Sequence, residues 1–189
     1  MNYAPGEALS PDVPITTLEQ YQAWASQDWL YDLGSDQAQL HARAKLEEEA
    51  SELVEALTAG DNDEIISELG DVLWTATANG QNCGITLADS MRHELSPDYF
   101  ADESITLAQI DELALELIPE ELPRVMANWV NYMAHYVGKA ASQWSNLSPE
   151  IDPDKQPESF SDAWILLKRE RARDGLTQTV LLCSAISQR

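Results

Sequence analysis

Two stretches of this chain, nineteen residues apart, carry the same apolar frame, and that repetition restricts the fold more than any other feature. At about 100° per residue, Leu46, Ala50, Leu53, Val54 and Leu57 fall on one helical stripe, and Ile65, Leu69, Val72, Leu73 and Ala76 fall on another. In the shared frame Glu49 and Glu52 hold the places that Glu68 and Asp71 hold in the second stretch, so each stripe is flanked by two carboxylates. Gly60 followed by Asp61, Asn62 and Asp63 reads as a C-cap, a turn and an N-cap. The two helices are therefore expected to fold back antiparallel, with their carboxylates leaning toward one seam.

Like charges one helical turn apart cost about a few tenths of a kcal/mol per pair, and more once they are partly desolvated. A cation between the helices would relieve this. The donors are all oxygen, without His or Cys, and no Asp-rich loop of calcium-binding spacing accompanies them, which points to a hard ion such as Mg²⁺ or Mn²⁺. Glu48 adds a fifth carboxylate, nearer to solvent and one turn from Glu52. The competing reading is a solvated acidic face; it accounts for Glu47, Glu48 and Glu55 but not for the matched offsets beside the two stripes.

The order EExxE (Glu48, Glu49, Glu52) then ExxD (Glu68, Asp71), with the wording KLEEEASEL and SELGDVLW around it, resembles the MazG-like branch of the all-α nucleoside triphosphate pyrophosphohydrolases. The likeness covers roughly residues 16 to 95. It implies an all-α helical bundle and Mg²⁺-dependent hydrolysis of a nucleoside triphosphate to the monophosphate and pyrophosphate, without naming base or sugar. On that likeness Glu49, Glu52, Glu68 and Asp71 are expected to hold the metal, and Glu48 is the candidate base for the attacking water, a role Glu49 can share.

Charge sets the partners. With 33 acidic and 11 basic residues the formal net charge is −22, which argues against a nucleic-acid backbone or an anionic membrane as main partner and means that a substrate phosphate needs a metal to approach. Two cysteines, Cys83 and Cys183, are too few for a disulfide framework and have no zinc spacing. No basic region followed by an apolar run opens the chain and no stretch reaches membrane-span length, so a cytoplasmic protein is expected.

Residues 1–15, with Pro5, Gly6, Pro11 and Pro14, read as an extended leader, and residues 16–189 as a single all-α domain in which 16–97 carry the chemistry and 98–189 complete the bundle or form an interface. Thr17 and Gln20 offer a capping box for a first helix carrying Leu18, Tyr21, Trp24 and Ala25. Trp24 and Trp29 are candidates to stack on a nucleobase, against the plainer alternative of core or dimer interface; His41 is expected at the surface. The second helix should run from near Ser35 to Gly60 and the third from about Asp63 to Asn82, with Gly84 ending it and Thr86 capping a short fourth helix. Asn79 and Asn82 continue the Asp71 side and are candidate substrate contacts; so is Lys45, four residues before Glu49, unless it is held in a salt bridge to Glu48 or Glu49.

Leu107 to Ile118 form a fifth amphipathic helix, and Val125, Trp129, Tyr132, Met133, Tyr136, Val137, Ala140 and Trp144 follow helical spacing in a sixth. After a loop over 148–157, Phe160, Trp164 and Leu167 begin another helix, and 176–186 is a last apolar segment. The likeness to enzymes built from two hairpins implies that 176–186 can pair with 125–144 as a degenerate second hairpin, which the absence of paired carboxylates after Asn128 would fit; the alternative is a C-terminal extension packed on a partner subunit. A homo-oligomer, dimer or higher, is the expected assembly. The rival to an enzyme is a catalytically silent helical protein that binds metal or nucleotide and regulates a partner.

Overall fold

The computed structural model describes residues 14–27, 31–32, 35–82, 84–95, 99–100, 104–118 and 160–188. Among them lie six helices: α1 Leu18–Ala25, α2 Asp36–Ala59, α3 Asn62–Asn82, α4 Leu87–Glu94, α5 Leu107–Leu117 and α6 Phe160–Ser187. The fold is all-α. Residues 1–13 of the expected leader, Trp29, Cys83 and the expected helix over 125–144 lie outside the described residues.

Helix starts follow local chemistry. The Thr17 hydroxyl accepts from Gln20 N while the Gln20 side chain accepts from the Thr17 backbone, and Thr106 with Gln109 builds the same box at the head of α5. Such a box satisfies two otherwise orphaned amides at once. The two boxes sit side by side: Leu18 N donates to Ile105 O and Leu107 N to Thr16 O, each at 2.9 Å, forming an isolated antiparallel bridge between Thr17 and Thr106. Glu19 ties the junction further, accepting from Arg92 Nη2 at 2.8 Å and from Ile105 N at 3.2 Å.

Ser35 caps α2 through its hydroxyl, and α2 ends at Gly60, whose φ of 70° lies in the left-handed region that favours glycine. Asp61 Oδ1 then accepts from the amides of Asp63 and Glu64, opening α3 with its carboxylate at the positive end of the helix dipole. At the far end, Ile85 N donates to Gly80 O at 2.8 Å. A Cβ on Gly80 would stand 2.8 Å from Ile85 O and 3.2 Å from Leu176 Cδ1, so only glycine lets this turn close against α6.

One apolar core joins the chain's ends. Leu46 and Leu53 of α2, Val72 of α3, Met91 of α4, Ala114 of α5 and Leu176, Leu181 and Leu182 of α6 are all buried in it. α6 packs on α3, α4 and α5. This corrects the expectation of two separate segments after residue 157: residues 160–167 and 176–186 are one helix that runs through Gly175. A helix-interior glycine costs about 1 kcal/mol, whereas each large apolar side chain buried beyond it contributes roughly 1.5–3 kcal/mol. Continuity follows from that inequality.

Candidate metal centre

α2 and α3 lie against each other, and Leu53 and Val72, one from each apolar stripe, are both at 0% exposure in the core. The matched acid positions of the repeated frame share their burial. Glu49 and Glu68, the first acid of each pair, are buried at 6% and 7% exposure. Glu52 and Asp71, the second acids, face outward. Carboxylate oxygens of Glu49, Glu68 and Asp71 all lie within 4.8 Å of one another.

The trio is electrostatically strained. Burial raises the Glu68 carboxyl above the usual carboxylate range, and the charges of Glu52, Asp71, Glu49 and Glu64 push it in the same direction. Burial likewise raises Asp71, aided by Glu49 and opposed by Lys45. Glu52 is raised first by a hydrogen bond with Glu49 and then by partial desolvation and the neighbouring acids, again with Lys45 opposing. Its position therefore adjoins the trio without being one of the three.

Among the described residues, Glu68 Oε2 is a buried oxygen with no hydrogen-bond partner. A buried carboxylate oxygen left unpaired costs at least the 1–3 kcal/mol typical of an unsatisfied polar group. Three carboxylates around one point, one of them carrying an unpartnered buried oxygen, fit a hard divalent cation and offer nothing that a soft metal would prefer. Glu49, Glu68 and Asp71 can hold such an ion, with Glu52 adjacent.

The remaining expected site residues divide. Lys45 Nζ lies 2.7 Å from Glu49 Oε1 and 3.0 Å from Glu48 Oε2, so it is in a salt bridge with both acids. Those two contacts raise its ammonium above the ordinary lysine range. Glu48 keeps its side chain about half exposed at the rim. Trp24 is exposed on α1, its ring 5.7 Å from that of Tyr21. His41 packs edge-on against Tyr31.

Asn79 departs from expectation. It is buried, and its Nδ2 donates to Ala42 O at 2.7 Å and to Thr75 O at 2.8 Å, which stitches α3 to the N-terminal part of α2. The amide nitrogen expected to meet substrate is committed to backbone carbonyls, because the side of α3 that carries Asp71 turns into the interface two turns later. Asn82 is buried as well.

Two residues near the cluster escaped the sequence reading. Glu64 occupies in α3 the place Lys45 occupies in α2, and the nineteen-residue offset was the signal for it. Tyr21, half-buried against the core, has its phenol raised first by burial and then by the charges of Cys183 and Asp71. Nothing in local sequence connects α1 to that part of α3.

A helical hairpin that brings one acid of one arm and two of the other around one point, with a fourth adjacent, defines a class: all-α proteins whose paired carboxylates can gather a divalent cation. Residues 22–95 match the family model described as phosphoribosyl-ATP pyrophosphohydrolase, PRA-PH, a member of the MazG-like all-α NTP pyrophosphohydrolase superfamily. The match runs from within α1 through the whole hairpin to the end of α4. That family hydrolyses pyrophosphate bonds in nucleotide derivatives. No curated protein and no solved structure matches the chain. Among the described residues no helix is long and apolar enough to cross a membrane.

Proposed function

We propose that this chain is a Mg²⁺-dependent nucleoside triphosphate pyrophosphohydrolase, with Mn²⁺ as an alternative ion, converting an NTP or dNTP to its monophosphate and pyrophosphate as a guard of the nucleotide pool. The observation that carries the reading is the trio of buried Glu49 and Glu68 with outward-facing Asp71, together with the unpartnered oxygen of Glu68. The PRA-PH match over 22–95 supports the bond class.

Glu49, Glu52, Glu68 and Asp71 are the proposed metal-holding residues. A divalent cation bound there supplies positive charge against the triphosphate and against the negative charge that develops as the anhydride breaks. Glu48, at the exposed rim beside Glu49, orients a water and takes its proton. The water oxygen bonds to the α-phosphorus, the bond from that phosphorus to the bridging oxygen breaks, and pyrophosphate departs with the bridging oxygen. Trp24, exposed on α1 with its ring tilted at 45° to that of Tyr21, is the proposed base platform. Residues 16–189 are proposed to act as one domain, since buried residues of α2, α3, α5 and α6 share one core. A cytoplasmic homo-oligomer is the proposed setting.

The test is a panel of canonical and modified NTPs and dNTPs, with phosphoribosyl-ATP included, incubated with Mg²⁺ or Mn²⁺ and analysed separately for pyrophosphate, orthophosphate and monophosphate. Pyrophosphate with monophosphate is the expected product pair. Orthophosphate would place the cleavage at another bond, and silence across the panel would favour the regulatory binding protein.

A further inference from the structure

Lys45 is the cation whose field opposes the acidic neighbours at both Glu52 and Asp71, and it grips the same Glu49 carboxylate that belongs to the trio. Its ammonium is bonded twice, at 2.7 Å to Glu49 and 3.0 Å to Glu48, yet the side chain remains about one-third exposed. A partly exposed lysine on a flexible four-carbon stem can leave an ion pair at small cost. Glu49 cannot leave with it, being buried on the stripe side of α2.

We propose that Lys45 is the resident counter-ion of the acidic centre, exchanged for a divalent cation, and that the exchange frees its ammonium to meet the anionic phosphates of the substrate. This rests on the metal-site reading above. Two charges of the same sign compete for one buried carboxylate, and the divalent one has Glu68 and Asp71 to itself in addition. The released ammonium then lies at the rim beside Glu48, where the most negatively charged part of the substrate must arrive. Metal loading thus produces the phosphate-binding cation as well as the metal site. In this chain of net charge −22, a positive group presented only when metal is bound also discourages unproductive binding of metal-free nucleotide.

The experiment titrates Mn²⁺ alone into the full-length wild type, Lys45→Met and Lys45→Arg by calorimetry, with circular dichroism confirming that each is folded. It also follows acetylation of Lys45 by mass spectrometry. Expected are an Mn²⁺ affinity roughly two- to fivefold tighter in Lys45→Met, the size of one partly exposed ion pair, and a wild-type-like affinity in Lys45→Arg. Acetylation of Lys45 should speed up on adding Mn²⁺ and slow again on adding inorganic pyrophosphate. An unchanged or weaker affinity in Lys45→Met, or acetylation that Mn²⁺ does not speed up, overturns the exchange while leaving the metal site in place. Acetylation that pyrophosphate does not slow overturns the phosphate contact. A wild type that takes up no Mn²⁺ removes the metal site and the exchange together.

Discussion

The two arms of the α2–α3 hairpin share an apolar frame and a burial pattern but open with opposite charges. Four residues before its buried acid, α2 carries Lys45 and α3 carries Glu64. Glu49 is consequently neutralised by its own helix at 2.7 Å, whereas Glu68 receives only further repulsion, Glu64 included, and keeps an unpartnered buried oxygen. Packing treats the arms alike; electrostatics does not. The lesson is that the demand for an external cation is concentrated on the α3 arm, and that burial of an acid identifies a ligand only when its local counter-charges are counted.

The largest expected effect tests the shared frame. Leu53 stands at the fully buried centre of the α2 stripe, so Leu53→Ala should destabilise by roughly 2–5 kcal/mol in denaturant unfolding. Leu40→Ala, on the same helix but 71% exposed, should stay within about 0.5 kcal/mol of the parent. Similar losses at both sites would mean that the stripe does not organise the hairpin.

Next in size is the stitch between the arms. Asn79→Ala leaves the buried Ala42 carbonyl without its 2.7 Å donor, and a loss of about 1–3 kcal/mol is expected in the same measurement. Turnover per folded molecule should persist, because the amide serves the interface. Full stability with lost turnover would return Asn79 to the role of a substrate contact.

Smallest is the charge difference that distinguishes the arms. Glu64→Gln removes one repulsive neighbour of Glu68 from an exposed position, so the metal-free protein should gain no more than about a few tenths of a kcal/mol, and Mn²⁺ should bind slightly more weakly. An effect of several kcal/mol would show that Glu64 is itself a ligand.

What was legible in the sequence is what local chemistry decides. Thr17 with Gln20, Ser35, Gly60 and Thr86 announce their caps within three or four residues, and the observed boundaries fall at them. The acids were legible because helical periodicity converts a sequence offset into a face. Long-range partners were not. Asn79 meets Ala42 across 37 positions, Glu19 meets Arg92 across 73, and Tyr21 reaches the field of Asp71, none of which has a signature within one helix. The unbroken α6 was hidden for a related reason: Gly175 is a weak breaker whose effect is overridden only once α3, α4 and α5 are there to bury the residues beyond it.

The central claim is that Glu68 is a metal-holding carboxylate and not part of a diffuse acidic surface. Its most direct test is calorimetric titration of Mn²⁺ into the full-length protein, Glu68→Gln and Glu55→Gln, with thermal melts on each. Glu55 lies exposed on α2 and serves as the charge-matched control. Glu68→Gln should lose Mn²⁺ binding and metal-induced stabilisation, while melting without metal at or above the parent's temperature, since a buried amide costs less than a buried carboxylate. Glu55→Gln should bind as the parent does. Equal Mn²⁺ binding by parent and Glu68→Gln, or equal losses in the two variants, would contradict the claim.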